Sequence, residues 1–210
     1  MNCRLLLLLP FTLMMIFVQA QNFSPAKDAA ALQKKMNETS KKINSIQCNF
    51  VQEKNVSMLT EKSVAKGKFY FKRESKVLLD YQTPVKNQIV MNGNKLVLRD
   101  GKTTTEMDVN RSRVFKQLNN IIMGSINGSL FSAKDFSVQL FENTTSIKAE
   151  LKPDLKTMKK FISTVVIVLD KKDFTATRIE MNETSGDNTI LTFTNKVVNG
   201  NVDDALFDVK

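Results

Sequence analysis

The sequence predicts an α+β fold in which one antiparallel sheet of roughly eleven strands curls into an unclosed barrel, lidded by a long N-terminal helix and a central helical insertion. Three observations predict it. Apolar residues recur at helical spacing near the start of the chain, period-two runs broken by Gly and Asn fill most of the rest, and one apolar segment, 111–131, follows neither period. A sheet this long curls or splits, and helices over its open side would bury both apolar faces.

Residues 1–20 stand apart from that pattern. One positive charge, Arg4, precedes the apolar run Leu5 to Val18, interrupted by Pro10 and Thr12, and Val18-Gln19-Ala20 offers a signal-peptidase site. The expectation is a signal peptide over 1–20 and a single domain over 21–210; the alternative, a membrane anchor, needs about 20 apolar residues. No later run reaches that length. Cys3 leaves with the leader and Cys48 stays alone, so the sequence offers no internal disulfide and a core must hold the domain together. Neither Cys lies in a lipobox-like context.

Ser24-Pro25 reads as a helix start, followed by apolar Ala29, Leu32, Met36, Ile43 and Ile46 with Lys34, Lys35, Glu38, Lys41 and Lys42 between them. From Cys48 the period changes to two. Strands are expected near 48–56, 64–73, 76–82, 86–91, 95–100 and 103–109, with turns at Asn92-Gly93-Asn94 and Asp100-Gly101-Lys102. The segment Arg111 to Phe131 should hold one or two short helices joined at Gly124 and Gly128. Strands near 135–142, 145–152, 160–170, 174–182 and 188–196 follow, then a closing segment through Ala205-Leu206-Phe207.

Much chemistry is missing. The chain has no His, which removes Ser-His and Cys-His catalysis and most zinc sites, so neither an enzyme nor a metal or cofactor is expected. Gly101-Lys102-Thr103 lacks the upstream Gly of a phosphate loop, since Leu96 stands there, and Gly124 to Gly128 lacks the spacing of a nucleophile elbow. Asp203-Asp204 reads as a solvated pair. Six Asn-x-Ser/Thr sequons, at Asn22, Asn37, Asn55, Asn127, Asn143 and Asn182, would matter only in a eukaryotic secreted protein. The formal charge of +10 falls to +9 without Arg4, which favours anionic partners such as membrane headgroups; the other reading is a solvated basic face. Nucleic acid is not expected, because the chain has no Trp and two Tyr for base stacking.

The stretch 67–84 is more specific. Phe69, Phe71, Arg73, Val77, Leu79 and Tyr81 share one parity, so a single Arg is expected on an apolar inner face, while Lys68, Lys72, Lys76, Asp80 and Gln82 face water with Tyr70 and Leu78 as exceptions. A guanidinium placed there needs acceptors, and the free carbonyls of a helix end would serve. The plain alternative is a filled core with Arg73 a satisfied edge residue.

With these residues the sequence resembles the periplasmic lipoprotein carrier family LolA. The resemblance runs over the long first helix, Asn49-Phe50-Val51-Gln52-Glu53-Lys54, the strand Gly67 to Arg73, Thr83-Pro84, Asn92-Gly93 and Asp204-Ala205-Leu206-Phe207. Glu74 departs from the family's usual Pro, and Val77-Leu78-Leu79 from its more aromatic strand. What the resemblance implies is a monomeric periplasmic carrier that shelters lipoprotein acyl chains between an inner-membrane ABC transporter and an outer-membrane acceptor or membrane surface. The implied acyl cavity comprises Phe50, Phe69, Phe71, Val77, Leu79, Tyr81, Ile89 and Met91; the lid comprises Leu32, Met36, Ile43, Ile121, Ile122 and Met123, held by Arg73. A same-fold binder of another amphiphile, or a lipoprotein-sensing module, is the alternative.

Overall fold

The computed structural model describes residues 22–111, 113–132 and 135–209, so the expected signal peptide lies outside the described residues. Twelve strands form one antiparallel sheet: β1 (Ser24–Pro25), β2 (Ser45–Asn55), β3 (Ser63–Lys72), β4 (Lys76–Thr83), β5 (Asn87–Asn92), β6 (Lys95–Arg99), β7 (Thr104–Asp108), β8 (Phe136–Glu142), β9 (Ser146–Pro153), β10 (Ile162–Asp170), β11 (Ala176–Glu183) and β12 (Asn188–Val198). Their spatial order is β1-β8-β9-β10-β11-β12-β2-β3-β4-β5-β6-β7, with β1 and β7 as unjoined edges, so the expected unclosed antiparallel sheet is what forms. Helices α1 (Ala29–Ser40), α2 (Arg113–Asn127) and the single turn α3 (Lys156–Lys159) complete the described regular structure with three short 3-10 turns.

Period-two alternation becomes burial directly. In β10 the residues Val165, Ile167 and Leu169 are fully buried and pair with Leu151, Ala149 and Ile147 of β9, equally buried. Burying each such aliphatic side chain contributes about 1.5–3 kcal/mol before the entropy of ordering it is counted. The connection from β7 to β8 must travel from one edge of the sheet almost to the other. It does so as α2, which lays Ile121 and Ile122 into the core and thereby covers the open side.

Three expectations are corrected. The first helix starts after Asp28, whose Oδ1 accepts from the Ala31 N–H at 2.9 Å, while Ser24–Pro25 pairs with β8 at a sheet edge that tolerates a residue without N–H. That helix ends at Ser40. Ile43 lies in the linker and Ile46 begins the inward series Ile46, Cys48, Phe50 of β2; the three-residue step from 43 to 46 mimics a helix that has already ended. Finally, α2 runs unbroken through Gly124 and stops at Gly128, which adopts φ +75° and lies so close to α1 that a Cβ there would meet Asn37 Oδ1 at 2.6 Å.

The outer face of β4 to β6 is also covered. Leu78, Val90 and Val97 form a second small core with Val202 and Phe207 of the C-terminal segment, which explains why Leu78 and Tyr70 break the polar parity of their strands. Asp204 is not merely solvated: Lys72 and Lys76 reach its two oxygens at 2.7 and 2.8 Å, and these bonds hold its carboxyl down at about 2. Asn92 Nδ2 donates to Phe207 O at 3.2 Å and Arg99 to Asp208 O at 2.6 Å, completing the clamp.

Gly67 sits at a register shift between β3 and β4, opposite Phe50 and Tyr81, whose rings meet edge to face at 5.0 Å. A Cβ on Gly67 would lie 2.1 Å from the backbone oxygen of Asp80. Gly67→Ala is therefore expected to cost about 2–4 kcal/mol in urea unfolding, because backbone has to move. A second prediction concerns acid. Since the folded pKa of Asp204 lies below its ordinary value of 3.8, its contribution is complete above that value and is lost as pH falls through about 2. Thermal melts should show Asp204→Asn less stable than wild type at neutral pH, with the gap closing at the acid end.

Candidate functional site

Arg73 lies past the end of β3, in the turn Arg73-Glu74-Ser75, and its side chain is exposed rather than on the inner face. The reason is local. Glu74 and Ser75 take φ of +75° and +63°, a left-handed pair that lifts the turn out of the ladder before the inward parity can reach residue 73. From there the guanidinium turns back over the C-terminal end of α1. One terminal nitrogen donates to Lys41 O and Ile43 O, both at 2.6 Å, with Ser40 O at 3.4 Å; Nε donates to Asn44 Oδ1 at 3.0 Å. The Arg73 N–H donates to Asn44 O at 2.7 Å. A cation at a helix C-terminus meets both unsatisfied carbonyls and the negative end of the helix dipole.

Beneath α2 lies a small apolar cavity of about 30 Å³. Ile46 and Cys48 of β2, Phe69 of β3, Ala176 and Ile179 of β11 and Phe193 of β12 form its sheet wall, with Ile122, Ser125 and Ile126 of α2 opposite. Thr175 and Lys196 supply its polar edge. Such a void admits one or two waters, whereas ligand pockets usually enclose about 300–1,000 Å³. A cavity of this size holds no long apolar ligand unless one of its walls moves.

Of the eight residues expected to line an acyl cavity, Phe69 borders this one. Phe50, Phe71, Val77, Leu79 and Met91 are fully packed core, and Tyr81 and Ile89 pack half-buried against it. Tyr81 donates its hydroxyl to Gln52 Oε1 at 2.8 Å, and burial pushes that hydroxyl up to about 12. Among the lid residues Ile122 reaches the cavity, Met36, Ile43 and Ile121 are buried beside it, and Leu32 and Met123 are half-buried.

Lys196 was hidden in the sequence. Between Thr194 and Val197 the β12–β2 register slips, so Asn195 and Lys196 both stand opposite Cys48. Asn195 takes φ +54° and falls on the outer face with Gln47 and Lys68, while Lys196 turns inward. Its side chain is 12% exposed, the least of the ion-paired basic residues, and Nζ contacts Asp173 Oδ1 at 3.3 Å, Thr175 O at 3.4 Å and the Thr175 hydroxyl. Asp173 in turn accepts from the Thr175 N–H and hydroxyl at 2.8 and 2.7 Å. The sequence signal for this was a change of parity, from Leu191 and Phe193 to Val198, with an Asn at the slip. Burial pushes the neighbouring Cys48 thiol up to about 12 against the pull of Lys196, so it remains protonated and unreactive. Among the described residues no three His, Cys, Asp or Glu side chains converge on a metal position.

Arg73→Leu removes the side-chain bonds to the end of α1 while leaving the sheet intact. We expect a loss of about 1 kcal/mol in urea unfolding, with hydrogen exchange at residues 40–44 accelerated. Arg73→Lys should recover only part of that protection, because an ammonium cannot present the planar fork.

The family model of the outer membrane lipoprotein carrier protein LolA matches residues 41–210, and the chain belongs to that family. Among solved structures, MucB is similar with a TM-score of 0.54 and 13% identity, over 89% of this chain and 65% of that one. The MucA/MucB complex of Pseudomonas aeruginosa gives 0.53 and 14%, over 84% and 59%. The LolA superfamily protein NE2245 from Nitrosomonas europaea gives 0.45 and 14%, over 84% and 97%. At such identities the MucB likeness shows the fold alone, and the chain spans about three fifths of those structures' length. No curated protein matches the chain by sequence.

Proposed function

We propose that this member of the LolA family is a non-enzymatic periplasmic carrier that takes lipoprotein acyl chains beneath α2 and delivers them to the outer membrane. The observation that carries this is the small apolar cavity whose one wall is a helix crossing the open side of the sheet. A helix so placed is the only wall of the described cavity that can leave without breaking strand pairs. On this reading the donor is an inner-membrane ABC transporter and the acceptor an outer-membrane protein or the membrane surface.

The energetics need a release device. Sheltering a chain of about 14 methylenes gains roughly 11 kcal/mol gross, at about 0.8 kcal/mol each. Against this, the apolar face of α2 must leave the core while cargo is held, and its return on release recovers that burial. Arg73 holds the end of α1, whose partner across Gly128 is the end of α2, so its bonds favour the closed, empty state.

A second reading has its own support. Lys196 places an ammonium at the edge of the cavity, which would suit an anionic single-chain amphiphile rather than a lipoprotein.

The test is binding of a fluorescent fatty-acyl probe and of a purified triacylated lipoprotein to residues 21–210. Wild type is compared with Arg73→Leu and with Ala176→Phe, which fills the cavity; thermal melts confirm that each variant folds. The expected result is that wild type keeps the lipoprotein soluble, Ala176→Phe weakens this about tenfold or more, and Arg73→Leu holds cargo but hands it over slowly. Probe binding without lipoprotein binding would assign the site to another amphiphile. Binding of neither would make the interior a filled core and end the carrier reading.

A further inference from the structure

The two ends of the sheet differ in character. One end gathers the connections 56–62, 84–86, 100–103, 154–161 and 184–187; the other gathers the turns 73–75, 93–94, 143–145 and 171–175. Six of the seven exposed large apolar side chains among the described residues lie at the first end: Met58 (92% exposed), Leu59 (65%), Val85 (62%), Phe161 (48%), Leu155 and Val64. None lies in the turns of the second.

These tips are held outward. Ser57 donates its N–H and hydroxyl to Asp187 Oδ1 at 2.8 and 2.9 Å, and Leu59 N–H donates to Val56 O at 2.8 Å, which fixes the β2–β3 tip. Thr184 N–H donates to Phe161 O at 3.1 Å and its hydroxyl to Lys160 O at 2.9 Å, which fixes the corner around α3. The polar loop 184–187 thus braces two apolar tips side by side.

Charge decides between occupants. Exposed Lys86, Lys102, Lys156 and Lys160 surround the tips and make no ion pair among the described residues. Of the neighbouring acids, Asp100 caps its own turn, Asp154 takes the Ser137 hydroxyl and Asp187 takes Ser57, while Glu61 stands exposed in the 56–62 tip. Single apolar side chains at pinned loop tips, ringed by unpaired ammonium groups, match the layering of an anionic lipid surface, where apolar groups sit deeper than phosphates. A protein partner would instead favour a continuous apolar patch with few lysines.

We propose that this rim is a docking surface for an anionic phospholipid membrane, with Met58, Leu59 and Phe161 entering the headgroup boundary and Lys86, Lys156 and Lys160 on the phosphates. It extends the carrier reading without resting on it, since it requires no cargo.

The experiment is co-sedimentation of residues 21–210, free of the apolar leader, with phosphatidylcholine vesicles with or without phosphatidylglycerol. Wild type is expected to bind the anionic vesicles, more weakly as salt rises, and to bind neutral ones poorly. M58D/L59D should reduce binding about tenfold or more, and K156Q/K160Q about fivefold per lysine neutralised. V197D, at the exposed position outside this rim, should change nothing. Failure of wild type to bind, binding that ignores lipid charge and salt, or rim variants that bind like wild type would each overturn the proposal. A vesicle-free dimer abolished by M58D/L59D would also overturn it, assigning the rim to a second copy. Acyl-probe binding is read in parallel, so loss of docking and loss of carriage are told apart.

Discussion

Twelve strands whose edges never meet leave one side of the sheet open, and the chain itself must cross that side to pass from β7 to β8. Nearly everything else follows from this crossing. A connection laid over an apolar concavity has to satisfy its own backbone groups, which makes it a helix, and has to bury one face, which supplies Ile121, Ile122 and Ile126. Because α2 is joined to the sheet at its ends by connections and not by ladder bonds, it is held mainly by packing. The cavity sits under this helix.

Strand positions were legible from the length of short apolar runs such as Val165 to Leu169, whose inward face the structure sets at Val165, Ile167 and Leu169. Legibility failed where a second partner entered. Leu78 and Tyr70 looked like lapses in alternation until the C-terminal Phe207 segment is seen to cover the outer face. Ile43 and Ile46 extended a helical spacing that the chain abandons at Ser40, since a step of three fits both a helix and the entry into a strand.

The candidate site was less legible than the fold, for the same reason. Arg73 was singled out as a lone cation on an apolar face, but parity counted it inward, and the left-handed Glu74-Ser75 pair moves it to the turn where α1 ends. Lys196 was missed because strict alternation places it outside; the extra residue at Asn195 reverses that, and no composition or spacing rule weighs one bulge. The acyl cavity expected along β3 to β5 is packed solid, while the void lies toward β11 and β12, where small Ala176 and Cys48 leave room.

On the carrier reading proposed above, a nearly filled interior is what the empty state needs. A standing cavity large enough for an acyl chain would either lose the dispersion contacts of its lining or fill with water that finds few polar partners. Packing α2 into that space removes both penalties, and the same packing becomes the force that returns when cargo leaves. The Lys196, Asp173 and Thr175 cluster then has a physical role in either state: it keeps the Lys196 ammonium at the cavity edge satisfied while the lid is shut, and it remains fixed to β10–β12, not to α2, when the lid moves. Opening therefore exposes an apolar wall with one anchored positive charge. On that same reading the turn end with Arg73 governs the opening, whereas the apolar rim lies at the other end of the strands.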